Sequence, residues 1–411
     1  MKKIPASAVE FQKELAELRQ RFEAMNPELE VTVRDPAMGV EGYVVVWNTG
    51  ISKGGPLEFM GKGGTRILKD LSLEQVKRLA RAMARKNAAA GLAFGGSKSG
   101  IKMDANDPDY EKKYRRFTQL CKPLLHENGG IFGGFGWDVG CKPPLNAVWA
   151  CDELKSLRCH TGKPVDLGGT DYDIEGIAGL GVAVAAQTVV EENGEACKGK
   201  TFSVQGMGAM GAAVTKYFTE RGGNLKCFSD PKYGGTWLLN DAASPALVAA
   251  LFGQKKDEAA SLMAKEGKKI SDDSAESLYA DVDVMFPCAM EDQLRKDNAG
   301  KIRARYVVEG ANNPTTEDAY RILFEKGVKH VPDIIANPGG VIAAFVELAS
   351  KVTPEENVKT RAKVKEAKET TIARVSANVK RLVEIVNTLK VPAHEAGDFM
   401  ALSNIFYGLG D

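Results

Sequence analysis

At 411 residues the chain is too long for one ordinary hydrophobic core and suits two domains with room for a cleft between them. Its 55 lysines and arginines nearly cancel 54 aspartates and glutamates, so no net field draws nucleic acid or an anionic membrane, and a small-molecule substrate is the default. Seven scattered cysteines without a CxxC pair, the lack of a signal-peptide core in residues 1–21, and the lack of an apolar run of about 20 residues predict a soluble cytoplasmic protein with free thiols.

In chain order, residues 5–26 read as a helix and Glu41–Asn48 as a strand that runs into the glycine-rich stretch 50–64. Ser72 and Gln75 form a capping box for a helix with an apolar stripe at Leu73, Val76, Leu79, Ala80, Met83, Asn87 and Ala90. Residues 171–191 read as a long apolar helix leading into a second domain. From Thr201 a strand, a glycine turn, a helix to Arg221 and the strand NLKCFSD make a βαβ unit. The short runs 282–286 and 306–308 each end in a turn, as parallel strands do when their carboxyl ends face a ligand. Residues 353–389 form a charged amphipathic helical region with Ile372, Val375, Val379, Leu382 and Val386 on one face. The fold expected is α/β with two domains: a substrate-binding and oligomerisation domain over 1–170 and a Rossmann-type dinucleotide-binding domain over 171–340. Residues 341–411 are expected as helices packing back across the junction.

Gly206, Gly208 and Gly211 spell GxGxxG between a strand and a helix, where glycines permit a tight turn, close approach of a pyrophosphate, and close packing of helix on strand. Alone the pattern is weak in a chain with 43 glycines. Asp230, at the end of the next strand, gives it context, because an acid there accepts from the ribose hydroxyls.

Three lysines sit in glycine-rich or apolar text: Lys62 in MGKGGTR, Lys86 in MARKNAAAG and Lys98 in FGGSKSGI. Most lysines are solvated surface groups, and each of these read singly fits that description. Together they suggest a carboxylate receptor, and crowding with desolvation turns one amine into a usable base. Asp138, in FGGFGWDVG, reads either as a turn-forming residue or as a proton shuttle. The four histidines show no nucleophile or metal spacing, so no metal is expected.

These segments, in this order, resemble the glutamate/leucine/phenylalanine/valine dehydrogenase family over nearly the whole chain, continuing through KPVDLGGT, VEGANNPTT and VPDIIANPGGV. The resemblance implies NAD(P)-dependent oxidative deamination of an amino acid to a 2-oxo acid and ammonia. It implies that Lys62 faces the substrate side chain, Lys86 binds the α-carboxylate, Lys98 activates water and Asp138 relays protons. Asn312 and Asn337 match positions lining the nicotinamide and substrate cleft. Lys62 points to glutamate or a polar relative, whereas Ala344 stands where glutamate enzymes carry a serine for the distal carboxylate. Trp137, Ser99 and Ala178 also depart from the family pattern. Asp230 leans to NAD, and Lys232 leaves NADP open. The family further implies a homo-oligomer, a hexamer or a smaller assembly. The alternatives are a dehydrogenase of another amino acid and a catalytically silent paralogue with a regulatory role.

Overall fold

In the computed structural model, which describes residues 3–409, the chain divides into two units. The first comprises Met1–Glu175, Val341–Glu369 and Asp398–Asp411; the second comprises Gly176–Gly340 and Thr370–Gly397.

The first unit is organised around one strand. Strands β1 (Leu29–Asp35) and β2 (Val40–Val46) form an antiparallel pair, and β2 runs antiparallel to β5 (Gly95–Lys102). On the other edge of β5 lie two short parallel partners, β3 (Gly61–Lys62) and then β4 (Thr65–Leu68). With neighbours on both edges, β5 is buried along all but its last residue, although its sequence GGSKSGIK holds few apolar side chains. Val44, Val45 and Val46 of β2 are fully buried, and the helix Leu73–Ala89 packs onto β5. That helix starts as its sequence indicates: the Gln75 amide donates to the Ser72 hydroxyl (3.2 Å), and the Ser72 amide donates to the Gln75 side chain (2.8 Å). Such a cap stabilises by about 1 kcal/mol. A second helix, Tyr110–Cys121, sends Tyr114 and Phe117 into an aromatic core with Phe132 and Phe135.

The second unit is built on a seven-stranded sheet. Its strands are β6 (Thr201–Gln205), β7 (Asn224–Asp230), β8 (Gly235–Leu239), β9 (Gly267–Ser271), β10 (Val284–Pro287), β11 (Tyr306–Val308) and β12 (Lys329–Val331). Their order is β12-β11-β10-β6-β7-β8-β9. The first five pair in parallel, while β8 and β9 extend the β7 edge antiparallel. The chain passes from β6 to β7 on one side and later returns to β10 on the other, so β6 ends at a topological switch point, where α/β sheets of this kind bind ligands.

Two predicted helices are corrected. The helix expected from residue 171 begins at Ile177, because Gly176 takes a left-handed conformation (φ 63°). The region 353–389 is two helices, Pro354–Thr360 and Ala362–Leu389, broken at Arg361 (φ 54°). Asn357 stabilises the break: its side chain accepts from the Lys363 amide (2.9 Å) and donates to the carbonyls of Gly169 (2.8 Å) and Val165 (3.2 Å). The buried stripe of the longer helix is Val375, Val379, Leu382, Ile385 and Leu389, and Ile372 is exposed. Among the described residues no helix is long and apolar enough to cross a membrane, and all seven cysteines are free thiols.

Candidate active site

In the first unit, pairing of β3 and β4 with β5 brings the GKGGTR and GGSKSG segments side by side. Lys98, on β5, is 6% exposed, and its ammonium lies 2.7 Å from Oδ2 of Asp138. Arg66, on β4, grips the same carboxylate at two points, Nε to Oδ2 at 2.9 Å and Nη2 to Oδ1 at 3.1 Å. Burial alone would raise the Asp138 pKa, but the charges of Lys98 and Arg66 outweigh it and hold the group below its ordinary value. Asp138 is therefore a carboxylate near neutral pH.

Lys62, on β3, is 3% exposed. Its ammonium donates to the carbonyls of Gly63 (2.9 Å), Gly134 (3.0 Å) and Phe135 (2.7 Å), which engages all three protons. Burial pulls its pKa down to about 7; Glu347 opposes the fall, and Lys163 and Lys98 add to it. Lys86 is half-buried in the last turn of Leu73–Ala89. Its neighbour Asn87 is fully buried and ties that turn to the site by donating to the Lys62 carbonyl (3.0 Å) and the Gly95 carbonyl (2.8 Å).

Behind Lys62 lies a network that the sequence reading did not single out. Glu347 is buried three residues beyond Ala344 on the helix Gly339–Ala349, so the two share a face. Its carboxylate accepts from Lys163 Nζ (2.9 Å), the Thr170 hydroxyl (2.7 Å), and the amides of Thr170 (3.0 Å) and Gly162 (3.0 Å). Lys163 also donates to the His160 carbonyl (2.7 Å). His160 is fully buried, and burial followed by the charges of Lys62 and Lys163 drives its pKa well down, so its ring is neutral. Two departures from the family pattern find partners here. Trp137 donates from Nε1 to the Gly162 carbonyl (2.8 Å) and packs on His160 (4.5 Å between centroids), and the Ser99 hydroxyl pairs with that of Thr65 (2.8 Å). The available signals were Arg66, a second cation beside Lys62 in the glycine-rich GKGGTR, and Lys163 at the head of the glycine-rich KPVDLGGT; Glu347 gave none.

In the second unit the glycine turn follows β6 directly. Gly206 has φ 85°, and a Cβ on Gly211 would lie 1.9 Å from the Gly206 carbonyl oxygen, so both positions require glycine. Gly208 caps the helix Ala209–Glu220, where no side chain closes the N-terminus and a Cβ would meet nothing within 4 Å. Open space before an uncapped helix end suits a pyrophosphate. Asp230 accepts from the amides of Met207 (2.8 Å) and Lys232 (2.7 Å), fastening the end of β7 to the turn and leaving further lone pairs on both oxygens. Lys232 reaches the Gln254 side chain (3.0 Å). Asn337 donates to the side-chain oxygen of Asn312 (3.2 Å) and to the Gly310 carbonyl (3.0 Å), while its own Oδ1 is buried without a partner. That orphaned acceptor suits an amide-bearing ligand such as nicotinamide. Among the described residues no group of three or more His, Cys, Asp or Glu gathers to hold a metal ion.

A parallel sheet with a phosphate turn at its switch point, carried with a lysine–carboxylate cluster, defines a dinucleotide-dependent oxidoreductase. Residues 168–403 match the family model described as Glutamate/Leucine/Phenylalanine/Valine dehydrogenase, and residues 27–140 match Glu/Leu/Phe/Val dehydrogenase, dimerisation domain. An NADP(+)-dependent glutamate dehydrogenase of Pyrobaculum calidifontis is 38% identical over 75% of this chain and 72% of its own length. A glutamate dehydrogenase of Aeropyrum pernix is 32% identical over 72% of each chain. Among solved structures, a hetero-hexameric glutamate dehydrogenase from Thermus thermophilus in a Leu-bound form superposes with a TM-score of 0.73, at 23% identity, over 98% of this chain and 97% of that one. The chain belongs to the glutamate/leucine/phenylalanine/valine dehydrogenase family. It is an NAD(P)-dependent amino-acid dehydrogenase acting on a CH–NH2 group.

Proposed function

We propose that the amino acid is glutamate, and that Lys98 and Asp138 carry the proton chemistry of its oxidative deamination. The observation that carries the reading is the buried Lys98–Asp138 pair at 2.7 Å, a base and a proton relay in contact. When bound, the dinucleotide supplies an oxidised nicotinamide that accepts hydride. Asp138 takes a proton from the substrate's α-ammonium, leaving a free amine. The Cα–H bond breaks with its electron pair leaving as hydride, and the nitrogen lone pair forms the C=N bond of an iminium. Lys98, once it has released its own proton to solvent, takes a proton from water as the water oxygen bonds to Cα. Asp138 returns its proton to the nitrogen, the C–N bond breaks, and the hydroxyl proton leaves with ammonia as ammonium, giving the 2-oxo acid. Lys86 holds the α-carboxylate.

Glutamate is favoured because Lys62 is a buried ammonium held only by neutral main-chain carbonyls, and a distal carboxylate supplies the counter-charge that an apolar side chain cannot. The names of the Pyrobaculum and Aeropyrum relatives support the same substrate. Ala344 offers no hydroxyl to the distal carboxylate, which weakens the grip by about 1.5–3 kcal/mol. For the dinucleotide, Gly206, Gly208 and Gly211 hold the pyrophosphate, Asp230 the ribose, and Asn312 with Asn337 the nicotinamide end. Asp230 argues for NAD and the Pyrobaculum relative's name for NADP. We read the protein as a cytoplasmic homo-oligomer; its free thiols support the compartment, and the Thermus structure, named hetero-hexameric, supports assembly into an oligomer but not the identity of its subunits.

The test is a spectrophotometric screen of amino acids against both cofactors, run beside Lys98→Ala. Glutamate should be oxidised fastest, and Lys98→Ala should stay folded and bind cofactor while turning over roughly a hundredfold or more slower. Faster oxidation of leucine or phenylalanine overturns the substrate; undiminished turnover in the variant removes Lys98 from the chemistry.

A further inference from the structure

We infer that Arg66 is a positioning residue for the proton relay, fixing the plane and the charge of the Asp138 carboxylate. The inference rests on the reading of Asp138 given above and extends it to a residue with no role there. Asp138 receives three charged hydrogen bonds: Oδ2 takes Lys98 Nζ at 2.7 Å and Arg66 Nε at 2.9 Å, and Oδ1 takes Arg66 Nη2 at 3.1 Å. A two-point guanidinium grip holds both oxygens in one plane, a constraint that a single ammonium cannot impose. It also distributes the donors unequally. Oδ2 is doubly occupied, and Oδ1 keeps the less crowded lone pair, which makes Oδ1 the oxygen that exchanges a proton with the substrate nitrogen.

The grip has an electrostatic consequence. The Asp138 side chain is only 15% exposed, and a carboxylate so buried tends to keep its proton. With Lys98 as its only cationic partner, Asp138 would lose its counter-charge whenever Lys98 became the neutral base that activates water. An arginine keeps its charge across the working range, so Arg66 holds the carboxylate ionised between turnovers, ready to accept the first proton even when Lys98 is neutral. Arg66 is well placed for a permanent duty: it lies on β4, in register beside β5 (Thr65 opposite Ser99, Arg66 opposite Gly100), and its side chain is 25% exposed. The backbone is held on the Asp138 side as well, because the Thr65 amide donates to the Gly136 carbonyl (2.8 Å) and the Ile67 amide to the Val139 carbonyl (2.9 Å).

The test compares pH profiles of kcat/KM for oxidative deamination in the wild type, Arg66→Gln, Arg66→Lys and Asp138→Asn, with dinucleotide binding measured by fluorescence as the folding control. Asp138 must be ionised to accept the first proton, so Arg66→Gln, which removes the charge, should move up by about one pH unit the low-pH part of the acid limb, where the profile steepens as Asp138 protonates in addition to Lys98. Arg66→Lys keeps the charge but not the two-point grip, so its limb should stay near that of the wild type while kcat falls about tenfold or more. If Arg66→Gln lowers activity equally at every pH with the limb unmoved, or leaves the profile unchanged, the inference is wrong. Should the Gln variant fail to bind dinucleotide, Arg66→Lys decides: a lowered kcat supports the inference and a wild-type kcat overturns it. Asp138→Asn separates the two layers of the argument, because near-normal turnover there removes Asp138 itself from the chemistry.

Discussion

On the reading proposed above, Lys62 carries both affinity and pH dependence in one side chain. Its three protons go to main-chain carbonyls, so a substrate carboxylate must replace one of those acceptors. With its pKa lowered by burial to about 7, the empty site loses its positive charge progressively as the pH rises past that value. A neutral amine does not attract the distal carboxylate of glutamate, so tight binding above that pH requires uptake of a proton. The sign follows: KM for glutamate should climb with pH above neutrality, by up to about tenfold per pH unit. Norvaline, with no distal carboxylate, should show no such climb. Initial rates with both substrates across roughly pH 6 to 9 test this, and parallel slopes would mean that Lys62 takes no part in reading the side chain.

The glycine turn separates two effects that a motif alone runs together. At position 211 an added Cβ meets a backbone oxygen at 1.9 Å, so Gly211→Ala must displace the helix or open the turn. It should lower stability by about 1–3 kcal/mol and abolish dinucleotide binding. At position 208 the same methyl meets nothing in the free protein. Gly208→Ala should therefore leave the melting temperature nearly unchanged while weakening the dinucleotide by about tenfold or more, since on the proposed reading the methyl would occupy the space of the pyrophosphate. Melting curves with cofactor titration distinguish the two, and a stability loss at 208 would contradict the assignment. The same contrast explains what the sequence made legible. The βαβ unit and the capping box at Ser72 depend on residues a few positions apart, so their spacing can be read directly. Arg66 finds Asp138 72 residues away, and Glu347 finds Lys163 184 residues away; such pairs leave no periodic trace. The break at Arg361 escaped for the same reason, because Asn357 reaches Gly169 across 188 residues. Strands β8, β9 and β12 were missed because each is only three to five residues long and too short to show apolar alternation, with β9 and β12 at the sheet edges.

At the scale of the whole molecule, the first unit draws on three separate stretches of chain. Its last stretch is not ornamental: Asp398 pairs with Arg19 and Arg85, Phe399 packs on Phe11 with ring centroids 5.1 Å apart, and Asn404 donates to the Ala88 carbonyl at 2.8 Å. Phe399 is 2% exposed, so Phe399→Ala should cost about 3–5 kcal/mol. The damage should fall on the N-terminal part of the chain, with the first protease cuts within residues 3–175 and not within 176–340. Cuts that begin within residues 176–340 would show that residue 399 supports the second unit instead. The interleaving also sets an order of events during synthesis. The ribosome releases residues 1–175 long before residues 398–411 exist, and at about 5–20 residues per second the interval is roughly 10 to 50 s. Throughout it the helix Ala8–Glu23 lacks the aromatic partner that covers Phe11, and Arg19 and Arg85 lack their shared carboxylate. Residues 176–340 and 370–397 emerge inside that window, so the nucleotide-binding unit has all its strands while the substrate unit is still waiting for its last helix. The nascent substrate unit is therefore the part most exposed to chaperones, and to aggregation when they are scarce.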